Sequence, residues 1–292
     1  MIDAIRAAAE EVIEAHRAAG REFEAGGVRS FLREAGDGEA VVLLHGVPSS
    51  CFLYRKLLDP LASAGLHPVA FDFPGLGLAE RPREFDYSWS GLARWTAEAI
   101  DALGIDRCHL VVHDIGGPIG FEWAIRNRDR VLSLTALNTL VDVASFHRPW
   151  SMHPFSIRGV GEIWLRSLNP YVMRRLFYLQ TIADRSATPP AEIYAYYYLL
   201  KRGDGGRAFL RIMRGFELRA EKERFYREGL ADLSCPRQVV WGERDPALNE
   251  ERRLAVQEFL VVDEPTLLPA KHFPQEDQAP ALSRAIAEIT SA

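Results

Sequence analysis

The chain has 292 residues, 48% hydrophobic and 26% charged, the usage of one large globular domain or of a domain carrying an insertion. With 35 Lys plus Arg against 40 Asp plus Glu the net charge is −5, and no basic run or stripe supplies a nucleic-acid footprint. No stretch approaches the ~18 apolar residues of a membrane span, so disorder, a membrane bundle and a nucleic-acid partner are all excluded as expectations.

Residues 2–19 read as an amphipathic helix, with Ile2, Ile5, Ala9, Val12 and Ile13 on one face and Gly20 at its stop. Such a helix packs on the domain surface or makes a dimer contact, so a monomer or a homodimer is expected. Charges at Asp3, Arg6, Glu10, Glu11 and Glu14 interrupt any signal-peptide core, which predicts a cytoplasmic protein. Cys51, Cys108 and Cys235 lie far apart with no CxxC pair, the pattern of free thiols rather than of a disulfide framework or a thiolate zinc site.

A strand–helix rhythm follows. Apolar strands are predicted at 40–46, 67–75, 109–114 and 131–139, with helices at 52–65, 89–104 and 116–127 between them. Near-continuous apolar strands separated by helices mean a mostly parallel sheet covered on both faces. From about residue 143 to 230 no strand is found. That segment is rich in aromatics and Arg, with helical stretches near 158–168, 170–182, 189–202 and 205–219. The alternation resumes with a strand at 237–245, a helix to about 260, a strand at 266–272 and a closing helix at 279–290. The expected organisation is a helical extension over 1–20, an α/β core over 21–142 and 231–292, and a helical insert over 143–230.

The sharpest chemical signal is Val112-His113-Asp114-Ile115-Gly116-Gly117, where a buried strand turns directly into a helix. This is the setting of the nucleophile elbow, usually G-x-S-x-G, with Asp114 in the central place. An aspartate at such a junction also serves as an N-cap. Three more pieces end strands: His45-Gly46-Val47-Pro48, Trp241-Gly242-Glu243-Arg244-Asp245-Pro246 and Lys271-His272-Phe273. Their order along the chain is oxyanion loop, nucleophile, acid, His. No HExxH, P-loop or GxGxxG after a strand is present, and His113 reads as a structural neighbour of the elbow.

These stretches carry a resemblance. HGVPSSCFLYRKLL, FDFPGLGLAERP, VVHDIGGPIGF, WGERDPAL and KHFPQED are similar to the α/β-hydrolase superfamily, in the branch of haloalkane dehalogenases and epoxide hydrolases. The resemblance covers roughly residues 28–142 and 235–285, and the insert corresponds to the family's helical cap. It implies the α/β-hydrolase fold, with Asp114 as nucleophile, His272 as general base and Asp245 as the acid that orients His272. Asp142 is the runner-up acid. The Val47 and Ile115 N–H groups would form the oxyanion hole. No cofactor and no metal are implied, and the partner is a small apolar organic substrate.

An aspartate narrows the reaction. With an ordinary pKa of about 3.9 it is ionised at pH 7 and attacks without a base. Attack on an ester would give an unstable anhydride, whereas attack on an sp³ carbon gives an alkyl-enzyme ester that water can hydrolyse. Haloalkane dehalogenases usually place Trp after the nucleophile and often Asn or Glu in HGxP; here Ile115 and Val47 stand there. Trp150 and Trp164 are the substitute indole donors for a halide. Epoxide hydrolases protonate the alkoxide with two cap tyrosines. Tyr178 lies near the expected place of the first, and Tyr194 with Tyr198 could replace the second. All these aromatics also serve simply as packing. The first reading is dehalogenase-like, the alternative an epoxide hydrolase, and the alternative from another class a ligand sensor without turnover.

Overall fold

A computed structural model describes residues 2–291. The elements in chain order are α1 (Ile2–Ala18), β1 (Arg21–Ala25), β2 (Val28–Glu34), β3 (Glu39–Leu44), α2 (Arg55–Ser63), β4 (Leu66–Phe71), α3 (Trp89–Ala102), β5 (Cys108–Asp114), α4 (Gly116–Arg126) and β6 (Val131–Thr139). Then come α5 (Val160–Ser167), α6 (Pro170–Gln180), α7 (Pro190–Lys201), α8 (Arg207–Arg214) and α9 (Ala220–Ala231). The chain closes with β7 (Arg237–Gly242), α10 (Glu250–Leu260), β8 (Thr266–Leu268), α11 (Pro274–Asp277) and α12 (Ala279–Thr290).

The eight strands form one sheet in the order β1-β2-β4-β3-β5-β6-β7-β8. β3 to β8 run parallel, and β2 is antiparallel to both β1 and β4. Parallel strands buried on both faces need apolar side chains at every position. Val41, Leu43 and Val111 pack with Leu57, Leu61, Leu282 and Ile286 of α2 and α12. The alternate residues Val42, Leu44 and Val112 belong to the opposite layer with Trp95, Ile119 and Phe259 of α3, α4 and α10. The order of the strands reverses around β3, so β3 and β5 lie at the centre and their C-terminal ends open into one crevice.

Two elements lie outside the expected rhythm. Residues 21–34 form the β1–β2 hairpin, closed by Gly26 and Gly27 at φ +55 and +70. A two-residue Gly-Gly loop with positive φ at both positions is the hairpin turn that follows strand twist. The second is α9, at the end of the predicted insert. It packs on α4 and α10 of the core, with Tyr226 donating to the Pro118 carbonyl at 3.0 Å. The predicted surface helix at the N-terminus is α1, and it packs along α7 of the insert. No described helix is long and apolar enough to cross a membrane.

Candidate active site

The elbow is built by β5, α4 and the loop after β3. Asp114 ends β5 with φ +51, a left-handed backbone that costs a non-glycine residue about 1–3 kcal/mol. Its carbonyl is held by the Thr139 hydroxyl, which donates at 2.6 Å. The close approach explains the glycines. A Cβ on Gly46 would sit 2.3 Å from Asp114 Oδ2, and one on Gly117 would sit 1.7 Å from Thr139 Oγ1.

The Val47 N–H donates to Asp114 Oδ2 at 2.7 Å. His272 Nε2 stands 3.9 Å from Asp114 Oδ1, too far for a direct hydrogen bond. The other ring nitrogen, His272 Nδ1, donates to Asp245 Oδ2 at 2.7 Å. Asp245 is fixed in turn by the Ala247 and Leu248 N–H groups on Oδ1, at 2.8 and 3.0 Å, and by Asn138 Nδ2 on Oδ2 at 2.8 Å. So Asp114, His272 and Asp245 come together from the ends of three different strand connections. Asp142 lies apart, ion-paired with Arg252.

Charge is tuned at each position. Burial raises the Asp114 carboxyl above its ordinary value, although His272 and the Val47 and Ile115 amides pull the other way. Burial opposes protonation of His272, but Asp245 and then Asp114 outweigh it, and its pKa is raised. His113 is held neutral by burial, and its Nε2 donates to the His272 carbonyl at 2.7 Å. His45 is pushed down to about 4 by burial. Its Nδ1 donates to the Gly46 carbonyl at 2.9 Å and its Nε2 accepts the Phe73 N–H at 3.1 Å. Both histidines hold backbone in place.

Over Asp114 and His272 lies a cavity of about 890 Å³ counting its open mouth, walled on the far side by residues of the insert. Most of the wall is apolar, including Phe146, Phe177, Leu200 and Phe209. The polar groups of the insert that reach it are Arg148, Ser151, Gln180 and Thr181. None of the five aromatic candidates is among the lining residues. Trp150 is 62% exposed. The Trp164 indole N–H donates to the Ser151 carbonyl at 3.1 Å. The Tyr178 hydroxyl points to the Thr188 carbonyl at 3.5 Å, and the Tyr194 hydroxyl accepts from Arg174 at 2.6 Å. Tyr198 lies on the side facing α1, near Arg6.

Sequence reasoning passed over Asn138, Arg148 and Gln180. The one available signal was Asn138 at the C-terminal end of an apolar strand, where a buried amide has to serve another element. It accepts from the Gly242 N–H at 2.8 Å and so ties β6 to β7 beneath Asp245.

With this geometry the comparisons fall into place. Residues 39–277 match the family described as alpha/beta hydrolase fold. The chain belongs to that family, on the branch of haloalkane dehalogenases and epoxide hydrolases, and is a hydrolase. Haloalkane dehalogenase 2 of Mycobacterium tuberculosis is 29% identical over 279 residues, 92% of this chain and 93% of the relative. A haloalkane dehalogenase of Mycolicibacterium smegmatis is 28% identical over 288 residues, 91% of this chain and 89% of the relative. Among solved structures, DBJA (mutant dbja delta) superposes with TM-score 0.79 at 25% identity, over 93% of this chain and 98% of that one. The epoxide hydrolase CorEH shares the fold at 22% identity, with TM-score 0.78 over 93% of this chain and 98% of that one.

Proposed function

We propose that this hydrolase cleaves the carbon–halogen bond of a small organic halide through a covalent ester on Asp114, with the helical insert as its cap. One observation carries the reading: an aspartate occupies the elbow, its Oδ2 held by the Val47 N–H at 2.7 Å while Oδ1 faces His272 Nε2 at 3.9 Å. In the first step Oδ1 attacks the carbon. The new C–O bond forms as the carbon–halogen bond breaks, and the electron pair leaves with the halide. The 3.9 Å gap is then the path of a water. His272 Nε2 takes its proton while Asp245 steadies the imidazolium, and the hydroxide adds to Asp114 Cγ. Charge collects on Oδ2, where the Val47 and Ile115 N–H groups would hold it. Collapse releases the alcohol and restores the carboxylate. The sum is halide plus water giving alcohol, halide ion and a proton.

The halide reading is preferred to epoxide opening on the pocket's chemistry. An alkoxide must be protonated as it departs, whereas a halide leaves as the anion. Among the described lining residues there is no phenol to supply that proton, and the Tyr178 and Tyr194 hydroxyls face other partners. The names of the dehalogenase relatives support the same choice.

The test is a panel of bromoalkanes and epoxides, reading bromide and diol, with intact mass spectrometry of His272→Phe. Bromide release and a substrate-derived mass on Asp114 in the variant are expected. Diol without bromide would move the assignment to epoxides. Binding with neither product and no adduct would make the protein a sensor.

A further inference from the structure

Arg148 is a half-buried cation in the wall of the cavity. It precedes the inserted helices and lines the cavity over Asp114. Its guanidinium stacks 4.6 Å above the Phe216 ring, and Nη2 donates to the Met213 carbonyl at 2.9 Å. Nε is buried with no partner. Among the described residues no carboxylate pairs with it, and burial lowers its proton affinity. The residue is only half-buried, so the cost of withdrawing its charge from water is partial, and an anion brought by a ligand would offset it. A second donor lines the same cavity. The Ser151 hydroxyl donates to Gln180 Oε1 at 2.8 Å, which fixes the amide, and among the described residues its NH₂ has no acceptor. The sole acid among the described lining residues is Asp114 at the floor. It repels an anionic substrate unless a cation elsewhere in the lining offsets it.

We propose that Arg148 and the Gln180 amide form an anion subsite, and that the substrate is a haloalkanoate whose carboxylate docks there while its halogen-bearing carbon meets Asp114. The inference rests on the Asp114 reading for the reaction but not for the binding. A guanidinium presents a planar fork that takes a carboxylate through two parallel bonds, a match a spherical halide does not offer. The mostly apolar lining suits the methylenes that join the two ends.

The experiment compares 1-bromobutane with 4-bromobutanoate in the full chain, Arg148→Met and Arg148→Lys, reading bromide release as kcat and KM after subtracting the enzyme-free release that ring closure of the bromobutanoate gives. Alongside, butanoate binding is measured by calorimetry, and thermal melting checks that the variants fold. The carboxylate substrate is expected to be preferred. Arg148→Met should raise its KM by about 10- to 100-fold more than that of bromobutane, the loss expected for bonds to a charged group, with part recovered in Arg148→Lys. Butanoate should bind the parent chain and lose that binding in Arg148→Met. This holds even if no bromide appears, a result that would sink the reaction and spare the subsite. Absent butanoate binding, or binding unchanged in Arg148→Met, overturns the proposal. So does an equal fall in kcat on both substrates, which would place Arg148 on the departing halide.

Discussion

At the residue scale, Asp114 combines burial, one short amide hydrogen bond and a histidine that does not touch it. Asp114→Asn keeps the shape and removes the carboxylate proposed as nucleophile. Turnover should fall by at least about 10³-fold, the usual size for a lost covalent step. Near-parental bromide release from a freshly purified variant, with deamidation excluded by mass, would sink the nucleophile role. The two acids of the sequence reading separate by their partners. Asp245 Oδ2 accepts from His272 Nδ1, whereas Asp142 is engaged by Arg252. Asp245→Asn is therefore expected to slow ester hydrolysis more than ester formation, resolved by single-turnover kinetics, and Asp142→Asn to leave both within a few-fold. The reverse pattern would make Asp142 the orienting acid.

At the scale of elements, the loop carrying His272 is anchored through α11. Glu276, fully buried, accepts from Arg55 Nη1 and Nη2 at 2.6 and 2.8 Å, lies 2.7 Å from Lys56 Nζ, and takes the Tyr196 hydroxyl at 2.6 Å. One carboxylate thus joins α2 of the core, α7 of the insert and the turn four residues after His272. Burial alone would raise its pKa, but Arg55 and then Lys56 outweigh it and the net shift is down. Its stabilisation is therefore present above the ordinary glutamate range and lost as pH falls through the depressed value. Glu276→Gln leaves Arg55 and Lys56 facing a neutral amide, with the partly exposed Glu192 still beside them. Breaking a buried pair from one side costs about 3–5 kcal/mol, so urea unfolding should show a loss of that order. A change below about 1 kcal/mol would mean that solvent already screens the cluster.

For the whole molecule, pH acts on rate and stability with opposite histidines. His272 has a raised pKa, so hydrolysis of the ester should fall off on the acid side through an inflection above 6.5, read from pre-steady-state kinetics. His16 and His45 are buried neutral, with pKa values near 3 and 4. Unfolded, each takes a proton near 6.5; folded, neither does until the pH is far lower. The folded state binds fewer protons in between, so stability should drop as pH falls from about 6.5 towards 4, by up to ~1.4 kcal/mol per pH unit for each histidine. A flat urea midpoint across that range would contradict the burial of both. Much of this protein was legible in its sequence. The strand–helix rhythm, the elbow at Asp114 and the strand-end positions of Val47, Asp245 and His272 follow from local apolar runs and glycines. The β1–β2 hairpin carried a readable Gly26-Gly27 turn but short, half-exposed strands, and α9 carried no strong apolar stripe. What only the tertiary structure decided is which side chains reach the cavity. Trp150, Trp164, Tyr178 and Tyr194 have the right chemistry, yet each is claimed by solvent or by a nearer polar group. Arg148 lines the same cavity as Asp114 because the chain between β6 and α5 brings its guanidinium over the Phe216 ring and onto the Met213 carbonyl, a placement no local sequence pattern encodes.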